Sequence, residues 1–299
     1  MFRLIERRTK SGILKVRFQF CGGPMKMLSE DLPVLKPIWN TDTMKHVRHW
    51  WVRRFSPRDR YTLTRFYRSP SQYDVLCRDV VPYLRPDGSE PPLTVACLGC
   101  SNGAEAYSIA SVLKSSSYRG QFSVAAFDID KELVARAATG RYFSPEIFKN
   151  PFITETFLQS TFERVDDRYL VRPEVKQHVR FAVQDILSDD MQQLGRFDIV
   201  YAQNILVNMP PALARRAFLN ICQLLDERAA LFVDGVDLGL KVRWTRRCGL
   251  RPVTTNMEEI YREAKEFLGE WPYWYSGLEP LAATRRDAAW RYATIFLKG

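Results

Sequence analysis

The sequence lacks any apolar run of roughly 18 or more residues, so nothing in it predicts a membrane-spanning helix. Histidine is scarce, with 3 residues among 299, and a single Cys-x-x-Cys pair is present, at Cys97 and Cys100. A structural zinc site usually takes its ligands from two such pairs, so we predict no metal site. The 6 cysteines are scattered, which is typical of free thiols in a reducing compartment rather than of a disulfide framework.

The N-terminal stretch is basic, but Lys15 and Arg17 interrupt its only apolar region, so we expect no secretory signal. An Arg-rich transit peptide stays open as an alternative. Together with the missing membrane span and the scattered cysteines, these features lead us to expect a cytoplasmic protein.

Positive charge is concentrated near the N-terminus. Residues 1–68 hold 16 Lys and Arg against 5 Asp and Glu, whereas the remaining 231 residues hold 28 against 29. Such a segment serves either an acidic partner, for example a nucleic acid, an anionic lipid or an acidic protein, or only a solvated helical face. No aromatic-basic repeat of a nucleic-acid module accompanies the charges, which speaks against a nucleic-acid partner.

Two parts with different patterns follow one another along the chain. Residues 1–88 are expected to be a basic, mostly helical segment, and they include a helix capped by Ser69 that begins at Pro70. From residue 93, apolar runs alternate with amphipathic helices, and the predicted strands are 93–99, 122–127, 178–186, 197–206, 230–236 and 291–299. This alternation predicts an α/β domain at residues 89–299 with a doubly wound, Rossmann-like sheet.

Residues 141–178 interrupt this alternation. A connection between a helix and a strand normally takes only a few residues, so we predict a small inserted β-subdomain here. Its sequence "FERVDDRYLV" is typical of a hairpin with Asp166 and Asp167 at the turn.

The stretch "CLGCSNGAEAYSIA", residues 97–110, joins the first strand of the predicted sheet to a helix. Gly99 and Gly103 allow the loop backbone to approach a ligand closely, and free N–H groups at a helix start favour an anion. Asp128 follows the next strand, where an acid commonly binds ribose hydroxyls. The spacing is not GxGxxG and no phosphate-binding lysine follows, which disfavours NAD and ATP. A structural turn without a ligand is the alternative.

These residues resemble the signature "AGCSTGEEPYSIA" of the CheR-type methyltransferases, S-adenosylmethionine-dependent enzymes that esterify glutamates of chemotaxis receptors. Further stretches resemble that family in the same order: "LTRFYRSPSQYDVL", "FDIDKELVARAATGRY", "FERVDDRYLVRPEVKQHVRFAVQDIL" and "FDIVYAQNILVNMP". The resemblance covers residues 60–236 and implies a Rossmann-like methyltransferase sheet, the inserted subdomain and S-adenosylmethionine as cofactor.

The resemblance implies four cofactor contacts in the first half of this region. Thr64 and Arg68 would close over the cofactor, Glu105 would lie near its methionyl amino group, and Asp128 would hold its ribose hydroxyls. Plainer roles are a surface charge for Arg68 and a partner of the helix dipole for Glu105.

Four further contacts are implied nearer the C-terminus. Asp185 and Ile186 would flank the adenine, and Gln203 and Asn204 would line the floor near the sulfonium. A turn at a strand end is the plainer role for Asp185.

The sequence departs from the family pattern on the acceptor side. The family's tyrosine beside the substrate falls on Asn208, and the arginine of its "CRN" motif falls on Gln203. Roughly the last 60 residues do not resemble the family, and the aromatic residues within 271–275 either line a substrate pocket or pack as a connection.

The resemblance therefore implies an S-adenosylmethionine-dependent methyltransferase, with Arg68 and Asn208 as the catalytic candidates. We expect a carboxylate acceptor, either a protein glutamate or a small-molecule acid, because a carboxylate is ionised at pH 7 and we identify no general base. Arg68 would position that carboxylate. Two other functions stay open: a degenerate module that binds the cofactor or a protein without catalysis, and a nucleic-acid methyltransferase.

Overall fold

The computed structural model describes residues 2–8, 14–20, 41, 43–44, 47, 64–86, 91–207, 209–266 and 280–299. The chain divides into two compact units, Met1–Arg60 and Tyr61–Gly299. Within the described ranges, no helix is both long and apolar enough to span a bilayer.

The first unit contains a β-hairpin. Strand β1, Phe2–Arg8, pairs antiparallel with strand β2, Leu14–Phe20. We expected irregular or helical structure here, and for these residues that expectation is wrong. The run "LKVRFQF" alternates apolar and polar residues with a period of two, a pattern that favours a strand over a helix.

The predicted helix after Ser69 belongs to the second unit. Helix α1 (Pro70–Val75) continues through a π-helical turn (Leu76–Val80) into α2 (Val81–Leu84). The apolar stripe of this segment is buried in the core of the second unit. The boundary between the units therefore falls after residue 60, whereas the sequence led us to place it after residue 88.

The strands of the second unit form two sheets. In chain order they are β3 (Leu93–Leu98), β4 (Phe122–Asp128), β5 (Arg141–Phe143), β6 (Phe162–Val165), β7 (Arg168–Val171), β8 (Val179–Val183), β9 (Phe197–Gln203), β10 (Leu225–Asp234), β11 (Arg251–Pro252) and β12 (Ile295–Lys298). The larger sheet has the order β11-β12-β10-β9-β3-β4-β8. Its strands from β10 to β8 run parallel, and β12 is antiparallel to both of its neighbours. This arrangement confirms the doubly wound, Rossmann-like sheet.

Helices cover the larger sheet and connect its strands. In chain order they are α3 (Ala104–Ser115), α4 (Lys131–Thr139), α5 (Ser144–Ile147), α6 (Glu155–Thr161), α7 (Pro173–Lys176), α8 (Pro211–Gln223), α9 (Leu238–Arg247), α10 (Met257–Glu266) and α11 (Ala288–Tyr292). The predicted caps of α4 are present. Asp130 Oδ1 accepts from the N–H groups of Glu132 and Leu133 at 2.8 and 3.2 Å, and Gly140 ends the helix at a φ of 66°.

The inserted subdomain contains the smaller sheet, in the order β5-β7-β6. The predicted hairpin is β6 and β7, which pair antiparallel, and Asp166 takes a φ of 55° in its turn. Strand β5 was not predicted, since three residues are too few for a periodic signal.

Candidate active site

The carboxyl ends of the parallel strands meet at one edge of the larger sheet. Gln203 at the end of β9 is in register with Asp234 at the end of β10. The chain runs outward from β3 through β4 to β8, and then from β9 outward to β10 on the other side, so the winding reverses between β3 and β9. Open α/β sheets bind their ligands in the crevice beside such a reversal.

The loop after β3 turns on residues with positive φ, among them Gly99 at 66° and Gly103 at 88°. A Cβ at Gly103 would lie 2.9 Å from the Cβ of Ala137 on α4 and 3.0 Å from the ring of Phe181 on β8. A Cβ at Gly99 would collide with Ile205. Both glycines thus allow the loop to pack against protein neighbours, and the close approach of a ligand to them stays a prediction.

Asp128 closes this loop from the end of β4. Its Oδ2 accepts the N–H of Ser101 at 2.7 Å, and its Oδ1 accepts the N–H of Asp130 at 3.0 Å. Each carboxylate oxygen can accept a second hydrogen bond. Asp128 is only half-buried, and it therefore has acceptors for two ribose hydroxyls at the position where we expected them.

Arg68 lies at the same edge, in an ion pair. Its Nη2 donates to Gln203 Oε1 at 2.6 Å and to both carboxylate oxygens of Asp234, at 3.0 and 3.2 Å. Burial alone would lower the pKa of Arg68, but the Asp234 carboxylate, assisted by Glu105, outweighs it and raises that pKa. Arg68 is therefore not a surface charge; it is a buried cation with a carboxylate partner.

A chain of side-chain amides continues from Arg68 into the protein. Gln203 Nε2 donates to Gln72 Oε1 at 2.5 Å, and Gln72 Nε2 donates to Thr294 Oγ1 at 2.7 Å. All three of these side chains are buried. Both the oxygen and the nitrogen of the Gln203 amide are thus hydrogen-bonded within the protein. Through this amide, α1 helps to fix the Arg68 guanidinium.

Asn204 follows β9 in a left-handed conformation, with a φ of 57°. Its N–H donates to Asp234 Oδ1 at 2.9 Å. With the amide oxygen turned toward the guanidinium, its side chain accepts from Arg68 Nη2 at 3.1 Å. A Cβ on Gly235 would come within 2.7 Å of Asn204 Cα, so only glycine fits beside this turn.

Glu105 lies in the first turn of α3 and is buried. Its Oε2 accepts from the Cys97 thiol at 3.5 Å, and no Lys or Arg in the described part of the chain forms an ion pair with it. Burial raises the pKa of Glu105 to about 7, although Arg68 acts in the opposite direction. A buried acid in this situation fits a ligand that carries a cation, such as the amino group of S-adenosylmethionine, because that cation would stabilise its charged form.

The backbone that carries Arg68 is held by two distant side chains. Tyr67 has a φ of 49°, and its N–H donates to Ser108 Oγ of α3 at 2.9 Å. Asn150 of the inserted subdomain donates through Nδ2 to the carbonyl oxygens of Phe66 and Tyr67, at 2.8 and 2.5 Å. The inserted subdomain therefore helps to position the arginine.

The structure describes three further predicted residues. Thr64 is half-buried, four residues before Arg68. Asp185 follows β8 at the same sheet edge, and its Oδ1 accepts the N–H of Leu187 at 2.8 Å, so it does form a strand-end turn. Ile186 packs in the core beside it at 8% exposure.

Two predictions fall outside the described residues: the catalytic role of Asn208, and the pocket or connection formed by the aromatic residues of 271–275.

The structure adds three residues that the sequence analysis missed. Asp234 ends a buried strand, as Asp128 does, and the same rule applied to "ALFVD" finds it. Gln72 and Asn150 carry no comparable signal, because their partners are distant in sequence.

The Cys-x-x-Cys pair is buried and both thiols are free. Burial, with smaller contributions from nearby acids, raises the pKa of Cys97 and of Cys100. A reactive redox pair needs a thiolate of lowered pKa, so this pair is structural.

Comparison with known proteins gives a family model and several named relatives. The family model "CheR methyltransferase, SAM binding domain" matches residues 62–238. A chemotaxis protein methyltransferase of Listeria innocua is 26% identical over 231 residues, which cover 77% of this chain and 79% of that protein. A probable biofilm formation methyltransferase, WspC of Pseudomonas putida, is 27% identical over 192 residues, which cover 64% of this chain and 44% of that protein.

Solved structures of methyltransferases are also similar to this chain. One is magnesium protoporphyrin IX methyltransferase from Synechocystis with bound SAM, at 16% identity and a TM-score of 0.36, covering 74% of this chain and 86% of that one. Another is PKMT2 of Rickettsia typhi in complex with AdoHcy, at 17% identity and a TM-score of 0.32, covering 63% and 28%.

Proposed function

Because the chain belongs to the CheR family of methyltransferases and uses S-adenosylmethionine as its cofactor, we propose that it transfers the methyl group to a carboxylate and forms a methyl ester. The guanidinium of Arg68 at the site carries this proposal, and the position of the one histidine in the described ranges agrees with it. His178 Nδ1 lies 3.2 Å from the carbonyl oxygen of Phe122, at the amino ends of β4 and β8. That is the sheet edge opposite to the site, and a carboxylate acceptor needs no such base because it is ionised at pH 7.

When bound, the cofactor supplies a methyl group that a sulfonium already activates. The protein's share of the reaction is then binding and alignment. We propose that Asp128 accepts from the ribose hydroxyls and that Glu105 faces the amino group. Thr64, Asp185 and Ile186 keep the cofactor roles that the family resemblance gives them.

Arg68 is the proposed partner of the acceptor carboxylate. Its Nη2 donates to Gln203 and Asp234, and its Nη1 faces the side-chain oxygen of Asn204. Among the described residues, none accepts from its Nε. A guanidinium fixed on one side and with donors left on the other is suited to orient a carboxylate.

The kind of carboxylate is proposed from a relative's name, and the cellular compartment is proposed from the free thiols. The Listeria relative is named as a chemotaxis protein methyltransferase, which supports a protein glutamate as the acceptor here, with a small-molecule acid as the alternative. The cysteines in the described ranges are free, which supports our placing the reaction in the cytoplasm.

The first experiment separates cofactor binding from turnover. S-adenosylhomocysteine is titrated calorimetrically into the wild type, into Asp128→Ala and into the control Asp167→Ala, whose side chain is exposed at the hairpin turn. We expect micromolar binding that Asp128→Ala largely abolishes and the control retains. Binding by all three proteins alike would contradict the role of Asp128.

The second experiment identifies the bond that is formed. Methyl-labelled cofactor is incubated with the protein and a panel of glutamate-containing proteins and small acids, and each product is then treated with alkali. A methyl ester releases its label as methanol, whereas methylated amines and phenols keep it. Alkali-stable label would refute the carboxylate, and cofactor binding without any transfer would support a degenerate module.

A further inference from the structure

Asp234 contacts two of the residues at the site, although neither the sequence analysis nor the family resemblance assigns it a role. Both of its carboxylate oxygens accept from Arg68, and its Oδ1 also accepts the N–H of Asn204. Its side chain is only 18% exposed, and that of Arg68 only 16%. A charge pair this far removed from water needs both of its members, because either one alone would be a buried charge without a partner.

A second acid, besides Asp234, interacts electrostatically with Arg68. Glu105 acts electrostatically on Arg68, as Asp234 does, but forms no ion pair with it. The guanidinium therefore forms its ion pair with Asp234. Among the described residues, Glu105 accepts a hydrogen bond only from the Cys97 thiol. Without the Asp234 carboxylate, Glu105 would be the acid that acts most strongly on Arg68.

We propose that Asp234 is a positioning residue for cofactor binding, which holds Arg68 away from Glu105 and so leaves Glu105 free to receive the cationic group of the cofactor. Asp234 acts through Arg68 and does not itself touch the cofactor. The inference rests on the role proposed above for Glu105, and it does not depend on which acceptor is methylated.

The test uses Asp234→Asn, because asparagine keeps an oxygen that can accept the N–H of Asn204 and loses the charge and one of the two acceptors that hold Arg68. The matched control is Asp237→Asn, at the exposed start of α9, whose carboxylate accepts only the N–H of Leu240 at 3.0 Å. Each protein is titrated with S-adenosylhomocysteine, and its thermal unfolding is recorded. We expect Asp234→Asn to weaken binding about tenfold or more, the usual effect of losing a charged hydrogen-bond partner, and the control to bind like the wild type.

A double-mutant cycle separates positioning from a general loss of structure. If Asp234 acts through Arg68, then Asp234→Asn has little further effect on affinity in an Arg68→Gln background. This comparison also serves if the single variant does not fold, because the double variant contains no unpaired guanidinium. An equal loss of affinity in both backgrounds would overturn the proposal, as would wild-type affinity in Asp234→Asn.

The pH dependence of binding, compared in proteins with and without Arg68, gives a readout that a purely structural role would not change. The titratable and charged groups that act on Glu105 are Arg68, Tyr73, Cys97, Cys100, Tyr201 and Asp234. The tyrosines and thiols among them have raised pKa values and stay neutral at pH 7. In Asp234→Asn, both the loss of the Asp234 charge and a new pair with Arg68 would favour ionised Glu105, so the rise of affinity with pH should move to lower pH, and it should move by less in an Arg68→Gln background. If the affinity of Asp234→Asn increases over the same pH range as that of the wild type, the proposal is overturned.

Discussion

The raised pKa of Glu105 predicts that cofactor affinity depends on pH near neutrality. Burial raises this pKa to about 7, so roughly half of the free protein carries a neutral Glu105 at that pH. A ligand amino group binds the ionised carboxylate in preference. Affinity for S-adenosylhomocysteine should therefore increase as the pH rises, in contrast to a site built on an acid that is fully ionised from pH 5.

The magnitude follows from the fraction of Glu105 that is ionised. If only the ionised form binds, the apparent Kd exceeds its limiting value by about 11-fold at pH 6 and by about 1.1-fold at pH 8, for a pKa of about 7. The affinity should thus improve about tenfold between these two pH values. Titration calorimetry at pH 6, 7 and 8 in matched ionic strength measures this directly.

Glu105→Gln is the control, because glutamine keeps the shape and does not titrate. We expect it to bind more weakly at pH 8 and with no slope between pH 6 and 8. A flat profile in the wild type would refute the reasoning, and so would the wild-type slope in Glu105→Gln.

The raised pKa of Glu105 also predicts how the stability of the ligand-free protein depends on pH. The pKa of Glu105 is near 4.5 when the chain is unfolded and about 7 when it is folded, so the folded state binds more protons between these values. The free energy of unfolding should therefore fall as the pH rises from about 4.5 to 7, by on the order of 3 kcal/mol from this group. At pH 8, Glu105→Gln should unfold at a higher temperature than the wild type, and a lower temperature would contradict this account.

Three further variants test the framework of the site. Asn150→Ala leaves two backbone carbonyls without their donor, and we expect a loss of about 3 kcal/mol in stability together with weaker S-adenosylhomocysteine binding. Gly103→Ala should cost about 2–4 kcal/mol, because φ is +88° and the new Cβ would lie 2.9 Å from Ala137. Glu263→Gln should cost about 1 kcal/mol, because the Glu263 carboxylate accepts from the start of α1. Denaturant unfolding measures all three.

Each of these variants has a matched control in the chain. Gln159→Ala removes an exposed amide from the same subdomain as Asn150 and should leave affinity unchanged. Gly249→Ala has a φ of +68° at the end of α9 but nothing within 4 Å of its new Cβ, so it isolates backbone strain and should cost less than the glycine variant in the loop. Glu259→Gln removes an exposed acid from α10. Equal losses in a variant and its control would contradict the contact assigned to that variant.

The sequence predicts those parts of the fold that local patterns encode. The strand-turn-helix at 93–115 follows from a buried apolar run, two glycines and a helix of mostly small and apolar residues, all within a short stretch. Asp128 follows from its place at a strand end. Asp234 satisfies the same rule, so it could have been predicted before the structure was known.

The remaining contacts depend on pairs that no local pattern connects. Asn150 holds the carbonyl of Phe66 across 84 positions, and Gln72 meets Gln203 across 131. The sequence around a buried asparagine or glutamine does not show whether its partner is a backbone carbonyl or another side-chain amide. Such pairs become visible only when the sheet order brings α1, the inserted subdomain and the ends of β9 and β10 together.

The replacement at Gln203 is explained by charge balance at this sheet edge. By resemblance the family has an arginine at this position, which would place a second guanidinium beside Arg68. The Asp234 carboxylate already pairs with Arg68, so a second cation here would compete with Arg68 for it. The neutral amide of Gln203 instead accepts from Arg68 and donates to Gln72, leaving neither of its ends unsatisfied. The departure from the family motif is therefore part of a complete hydrogen-bond network, and this completeness argues against decay of the site.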